Sequence, residues 1–200
     1  MTKLSAFIAG SALLILELLG LRLLTPAFGS SILVLSAVIG VFLLAMAVGY
    51  FLGGYLADRF PSAKLLSLVL IVSGILISLS ALFAFPVAFS ISYSEINKWF
   101  APILTTLVLF SFPSCSVAMT SPVVIRLEAR RIEDVGKVAG KIYAISTLGS
   151  IVGTLLVPLL IVWLPIRASL HITAGTLAFL GIIVWMMPHK VGKARTRFPT

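Results

Sequence analysis

The sequence predicts an all-α integral membrane protein with six transmembrane helices, and three observations lead to that fold class. Hydrophobic residues make up 60% of the 200 residues and charged residues only 10%, which excludes a disordered chain or an ordinary soluble domain. The charges are grouped between long uncharged runs. Each run is long enough for a helix to cross a hydrocarbon core of about 30 Å. Six such helices fill most of the chain, so no soluble catalytic domain fits beside them.

Charges, prolines and glycines set the ends of the predicted spans, because lipid excludes charged side chains and unpaired backbone groups. The uncharged run from Leu23 to Ala57 is too long for one span and breaks at Pro26 and Gly29. The predicted spans are 4–24, 32–57, 65–85, 100–125, 142–164 and 168–187, in a membrane domain of residues 1–188 followed by a basic tail, 189–200. Glu17 interrupts the first run, which argues against a cleaved signal peptide.

Basic residues predict the orientation, because cytoplasmic loops carry an excess of lysine and arginine. If both termini are cytoplasmic, twelve basic residues lie on that side, Lys98 and Arg167 lie outside, and Arg22 lies near the outer end of the first helix. The net charge of +9 is then explained by topology, so nucleic acid is not an expected partner. The expected partner is the lipid bilayer, and the expected location is the cell membrane, in multi-pass form.

Residues that usually carry catalysis or bind metals are sparse and isolated. The chain has one cysteine, Cys115, and two histidines, His171 and His189, which have no acid or nucleophile beside them in the sequence. It contains no Cys/His grouping, no glycine-rich phosphate loop, no nucleophile elbow and no paired carboxylates. The sequence therefore predicts no metal site, no cofactor and no enzymatic activity.

Small residues at four-residue spacing mark two helices. Ala45, Gly49 and Gly53 lie on the second, and Gly149 and Gly153 on the fifth. Such spacing lets helix backbones approach closely in lipid, and it fits both a static bundle and helices that slide in a transporter. These faces present more small-residue surface than six helices in one copy need to bury, so we expect a homo-oligomer.

Glu17 is the most informative single residue, because an ionisable group inside a span is costly. From the predicted start of the first helix it lies about 20 Å along the axis, beyond the middle of the membrane. Arg22 is a poor partner, since five residues place it about 140° around the helix. Two interpretations remain open: Glu17 binds a cation or proton, or it makes a structural hydrogen bond to another helix.

Hydroxyl groups on helices four and five are the predicted companions of Glu17. Pro113 and Pro122 interrupt a run of small polar residues on helix four, and proline leaves carbonyl groups that hydroxyls or water must satisfy. A kinked helix lining a cavity and a kink sealed by protein contacts both fit this pattern. With Glu17, the candidate substrate- or ion-binding residues are Ser114, Ser116, Thr120, Tyr143 and Ser146.

The cytoplasmic end of helix two carries a sequence signature. The stretch from Gly54 to Arg59, GYLADR, resembles the G-x-L-A-D-R-x-G-R-K signature of the major facilitator superfamily. The resemblance implies a charged latch between cytoplasmic helix ends. Its members here would be Asp58 and Arg59 with Arg126 and Arg130 of the following cytoplasmic loop.

A second resemblance extends over three ordered segments. Leu16–Ser31, Gly40–Arg59 and Gly140–Thr154 look like the membrane half of the fused major facilitator/spermidine synthases. That resemblance implies a six-helix, half-facilitator bundle without the aminopropyltransferase domain. The function it suggests is a transporter-like module for a small organic cation such as a polyamine, working as a homodimer or with a partner. The alternative is a non-transporting membrane anchor for a separately encoded soluble aminopropyltransferase-like enzyme.

Overall fold

A computed structural model of the chain describes residues 1–129 and 131–187. Those residues form seven α-helices and a short 3-10 turn, Ile132–Asp134. The helices are α1, Thr2–Phe28; α2, Ile32–Arg59; α3, Ala63–Ser92; α4, Ala101–Ala118; α5, Thr120–Glu128; α6, Val135–Trp163; and α7, Ile166–Met186. Six segments are long and apolar enough to cross a membrane, with α4 and α5 together forming the fourth. The predicted class of six membrane-spanning helices is confirmed.

The helix ends differ from the predicted ones where a proline is tolerated. α3 continues to Ser92 through Pro86, although the sequence places its end at residue 85. Pro86 cannot donate to the carbonyl of Leu82, four residues earlier. The Arg167 guanidinium donates to that carbonyl instead, over 3.3 Å, and lies over the Phe85 ring at 4.7 Å. A side chain from α7 therefore replaces the hydrogen bond that the proline removes.

Other predicted spans also have different limits. The first is predicted to end at residue 24, but α1 continues through Pro26 to Phe28. The fourth is a single predicted span, 100–125, but its helix is interrupted at Met119, between α4 and α5. The fifth begins at Val135, seven residues before the predicted start, so the first turns of α6 include part of the predicted cytoplasmic loop. The predicted tail, 189–200, with its His189, lies outside the described residues.

The contacts between helices arrange the six spans in two layers. α1 contacts every other span, and the closest pairs are α1 with α6, α3 with α7, and α2 with α4. One layer contains α2, α4–α5, α1 and α6, in that spatial order, and each of these segments packs against the next. We call it the front layer. Helices α3 and α7 pack behind α1. Only 17% of the most apolar stretch of α6 is buried, against 56% in α1. The front layer therefore leaves a wide surface uncovered in one copy of the chain.

The predicted small-residue positions lie inside this bundle. A Cβ atom at Gly149 or Gly153 would overlap the carbonyl oxygen of Phe7 or Ser11 on α1. On α2, the space beside Gly49 and Gly53 is filled by α4 and by Met119, and Ala45 is buried. The surplus of small-residue surface that we expected is therefore absent at these glycines, and they provide no argument for dimerisation.

Candidate functional site

Glu17 lies on the front layer, on the side of α1 between α4 and α6. Gly10 meets Ser146 of α6, and Gly20 meets the Phe110 ring of α4. At 3.6 residues per turn, Glu17 lies about 20° from Gly10 and about 60° from Gly20 around the helix axis. It therefore points between the direction of α6, which Gly10 faces, and the direction of α4, which Gly20 faces. Its side chain is half-buried. Within residues 1–129 and 131–187, its carboxylate makes no hydrogen bond and no ion pair.

Ser114 of α4 lies at the same depth as Glu17. α1 and α4 cross the bundle in opposite directions, so the residue one turn beyond Phe110 on α4 stands level with Leu16 and Glu17 on α1. The Ser114 hydroxyl is fully buried and has no hydrogen-bond partner among the described residues. Leaving a buried hydroxyl unpaired costs about 1–3 kcal/mol. Among the described residues, the carboxylate of Glu17 and this hydroxyl are thus two unpartnered polar groups at about the same level of the bundle.

The other two candidates on the fourth span have different surroundings. The Ser116 hydroxyl lies 2.8 Å from that of Ser73 and 3.5 Å from the Val69 carbonyl oxygen. Both partners are on α3, so Ser116 points to the back of the bundle and joins two helices. Thr120, at the start of α5, is fully buried, and its hydroxyl has no partner in the described part of the chain. The structure therefore does not bring Ser116 together with Glu17.

Tyr143 and Ser146 are polar residues of α6 that lie nearer than Glu17 to the end of the bundle where α1 begins. Ser146 contacts Gly10, seven residues and so about 10 Å along α1 from Glu17. Tyr143 is 47% exposed. Tyr50, on α2, is a polar residue within a span that sequence reasoning missed.

At Pro113 of α4 a protein contact replaces the lost backbone hydrogen bond, which corresponds to one of the two alternatives left open by the sequence. Pro113 removes the donor for the Leu109 carbonyl. Ser80 of α3 donates its hydroxyl to that carbonyl over 2.5 Å. This proline therefore leaves no free backbone acceptor for a ligand at Leu109.

His171 has a partner that the sequence did not reveal. Its Nδ1 atom lies 2.7 Å from the hydroxyl of Ser78 on α3. The two residues are 93 positions apart in the chain, so only the pairing of α3 with α7 brings them together. His171 is therefore not isolated within the bundle, although no acid or nucleophile stands beside it in the sequence.

At the end of the bundle where α2 meets α5, part of the predicted latch is in place. The Arg126 Nε atom lies 3.0 Å from a carboxylate oxygen of Asp58, with the two side chains 48% and 76% exposed. Exposed ion pairs contribute about 0–1 kcal/mol, so this contact holds the helix ends only weakly. Arg59 instead donates to the Tyr55 hydroxyl over 3.3 Å. Arg130 lies outside the described residues.

Comparison with known proteins identifies the family of this six-span bundle. The family model of the Major Facilitator Superfamily matches residues 4–199, almost the whole chain. The chain belongs to the major facilitator superfamily. As a facilitator, it is a transporter-like, multi-pass membrane protein. No curated protein and no solved structure matched this facilitator.

Proposed function

We propose that this facilitator transports a small organic cation and that Glu17 binds that cation, or a coupled proton, at the front layer. The observation that carries the proposal is the half-buried carboxylate with no hydrogen bond or ion pair among the described residues. An ionisable group within a span is costly unless it has a function or a partner. The Ser114 hydroxyl has no partner among the described residues and lies at about the same depth by helix register, so it offers a second ligand atom.

The substrate class follows from charge and from the sequence resemblance. A carboxylate in a low-dielectric site attracts a cation far more strongly than it would in water. The resemblance to the membrane half of the fused spermidine synthases suggests that this cation is a polyamine. Tyr143 and Ser146, on the same side of the bundle, would line the path of the substrate.

A second copy of the chain is the partner that we propose for the front layer. Facilitator halves form their substrate site at the interface of two bundles near the middle of the membrane. The front layer carries Glu17 at such a surface, and α6 is the least buried span in the described residues. In this arrangement both termini face the cytoplasm of a cell-membrane protein, with Asp58 and Arg126 at the cytoplasmic helix ends.

Uptake into vesicles tests the proposal. The purified full chain is reconstituted, and uptake of labelled spermidine is compared between wild type, Glu17→Gln and Glu95→Gln. Glu95 is exposed in the loop between α3 and α4, so its variant controls for the loss of one negative charge. We expect uptake by wild type and the control, and loss of at least nine-tenths of it in Glu17→Gln.

Two results would contradict the proposal. Equal spermidine uptake by Glu17→Gln and wild type would show that the carboxylate has no part in transport. Absence of cation uptake by a folded wild-type protein would favour the alternative role, a membrane anchor for a soluble aminopropyltransferase-like enzyme. Thermal unfolding of each purified variant confirms that it is folded before the uptake is compared.

A further inference from the structure

The back of the bundle presents a continuous apolar surface made by α3 and α7. The exposed residues of each helix fall in one sector, while the buried sides of both helices pack on α1 and α4. At 100° per residue, the two exposed sectors lie on the same side of the line along which the antiparallel helices touch. We call this surface the back face. Its exposed large side chains include Ile75, Leu79 and Phe83 of α3 and Ile172, Phe179 and Ile182 of α7.

Arg167 is the charged residue at the end of the back face where α7 begins. Its guanidinium is held where α3 and α7 touch, because it donates to the Leu82 carbonyl over 3.3 Å and lies 4.7 Å over the Phe85 ring. The side chain is partly exposed. Among the described residues it makes no other hydrogen bond and no ion pair, and its Nε atom has no partner. Since a guanidinium has five N–H donors, most of its donors are not used by the described chain.

The position of Arg167 along α7 places it at the level of lipid headgroups. At the other end of the same line of contact, Lys64 lies over the Trp185 ring at 5.7 Å. Trp185 follows Arg167 by 18 positions, which is about 27 Å along the helix and close to the thickness of the hydrocarbon core. The two cations therefore mark the two polar boundaries of the bilayer beside α3 and α7.

His171 lies on the same side of α7, closer to the middle of the membrane. It follows Arg167 by four positions, so it is about 6 Å deeper and about 40° around the helix, towards the exposed sector. Its Nδ1 atom lies 2.7 Å from the Ser78 hydroxyl, and the ring makes no other hydrogen bond within the described residues. When Ser78 donates to Nδ1, the neutral ring carries its hydrogen on Nε2 and can donate it to an oxygen atom.

We infer that Arg167 and His171 bind the headgroup region of an anionic phospholipid whose acyl chains lie on the back face. The guanidinium offers parallel N–H donors that match phosphate oxygens, and the described residues supply no carboxylate for it. The deeper imidazole suits the ester oxygens between the phosphate and the acyl chains. The exposed apolar residues of α3 and α7 extend the site into the hydrocarbon.

The proposed second copy does not compete with this lipid. That copy covers the front layer, and the back face lies on the side of α3 and α7 that points away from α1 and α4. Glu17 lies on α1, in the front layer, so the lipid site is also separate from the proposed transport site. The inference therefore depends neither on dimerisation nor on transport.

Lipid binding to the purified full chain in mild detergent tests the inference. Phosphatidylglycerol and phosphatidylcholine with identical acyl chains are titrated, and retained lipid is counted by native mass spectrometry. We expect wild type to retain phosphatidylglycerol in preference to phosphatidylcholine. In Arg167→Gln we expect about tenfold weaker binding of phosphatidylglycerol, equivalent to about 1.4 kcal/mol, and unchanged binding of phosphatidylcholine. His171→Phe should show a smaller loss of the same kind.

Arg22→Gln is the matched control, because it removes an arginine at the same end of the bundle but in the front layer. It should keep the lipid preference. Arg167 also supports the Leu82 carbonyl, so thermal unfolding without added lipid establishes that each variant is folded. If Arg167→Gln does not fold, His171→Phe decides, and an unchanged preference in that variant would overturn the inference.

Other results would also overturn it. A folded Arg167→Gln that keeps the lipid preference, or an Arg22→Gln that loses it equally, would place the lipid elsewhere. Displacement of phosphatidylglycerol by excess inorganic phosphate would show a site for a free anion instead. Cross-linking between two copies through Ile172→Cys in a Cys115→Ser background, unaffected by phosphatidylglycerol, would show that a second copy covers the back face.

Discussion

Glu17, Ser114 and Ser80 show how differently polar groups inside the same bundle are treated. Ser80 donates to a carbonyl that lacks its helical partner, so its hydroxyl has a structural role. Ser114 is at least as deeply buried and has no partner among the described residues. Residue type alone therefore does not identify a ligand-binding serine within a span. A serine whose hydroxyl has a partner in the protein has a structural role, and one without a partner is a candidate ligand group.

Substitution by alanine should change the stability of the protein differently at these two serines. Ser80→Ala leaves the Leu109 carbonyl unpaired, and we expect it to lower the free energy of unfolding by about 1–3 kcal/mol. Ser114→Ala removes a hydroxyl that has no partner in the described chain, so it should leave stability unchanged or slightly raised in the absence of ligand. Thermal unfolding of both variants in one detergent measures the difference. A strongly destabilised Ser114→Ala would mean that its hydroxyl is satisfied within the bundle by an ordered water.

Helices α1 and α6 are held together by contacts that only glycine permits. Gly149 and Gly153 each meet an α1 carbonyl so closely that a Cβ atom would overlap it, while Ser150 donates to the Gly10 carbonyl over 3.1 Å. In lipid, packing and such hydrogen bonds drive helix association, because there is no hydrophobic gain between two apolar helices. The position of α6, and with it Tyr143 and Ser146, depends on this close approach.

Adding one methyl group should therefore separate α1 from α6. We expect Gly149→Ala to reduce the free energy of unfolding by about 1–3 kcal/mol, as overpacking does in well-packed cores. Gly40→Ala on α2 is the control, because a Cβ atom there meets nothing within 4 Å and alanine favours a helix by about 1 kcal/mol over glycine. Unfolding of Gly149→Ala at or above the temperature of Gly40→Ala would show that the close contact is not needed.

At the scale of the whole molecule, orientation and association remain predictions. The orientation depends on charge: twelve basic residues face one side and two the other in the proposed topology, and such an excess sets which side is cytoplasmic. Association depends on shape, because the front layer leaves α6 largely uncovered. The glycines of α2 and α6 cannot provide the contact between copies, since they are used within one.

The orientation is measured with reporters fused at defined positions. A reporter after Thr200 or in the α2–α3 connection at Ser62 should be cytoplasmic. Reporters at Ser30 and Ser94, in the connections at the other end of the bundle, should be external. An external reporter after Thr200 would contradict the proposed topology, because the excess of basic residues places both termini in the cytoplasm.

Association through the front layer is measured by cross-linking. Thr147 is exposed on α6 one turn from Tyr143, and Phe179 is 65% exposed on α7 in the back layer. In a Cys115→Ser background, Thr147→Cys should give dimers with a bifunctional maleimide, and Phe179→Cys should not. Dimers formed equally by both variants, or by Phe179→Cys alone, would place the contact between copies elsewhere.

The number of spans and the position of the unusual charge can be read from the order of the residues. Charge-free runs are dictated by the cost of placing ions and unpaired backbone in lipid, and that cost acts locally, so residue order is sufficient to locate the six helices and to single out Glu17. The ends of α3 were not predictable in this way. Pro86 is tolerated there because Arg167, 81 positions later, donates to the Leu82 carbonyl.

Which polar residues lie close to one another depends on how the helices pack. Ser114 and Ser116 are two positions apart, but a helix turns about 100° per residue, so Ser116 bonds to α3 while Ser114 stays unpartnered in the described residues at the level of Glu17. Ser78 and His171 meet through the packing of α3 against α7. The rotation of each helix follows from contacts between distant positions, such as Gly149 with Phe7, and no local pattern contains that information.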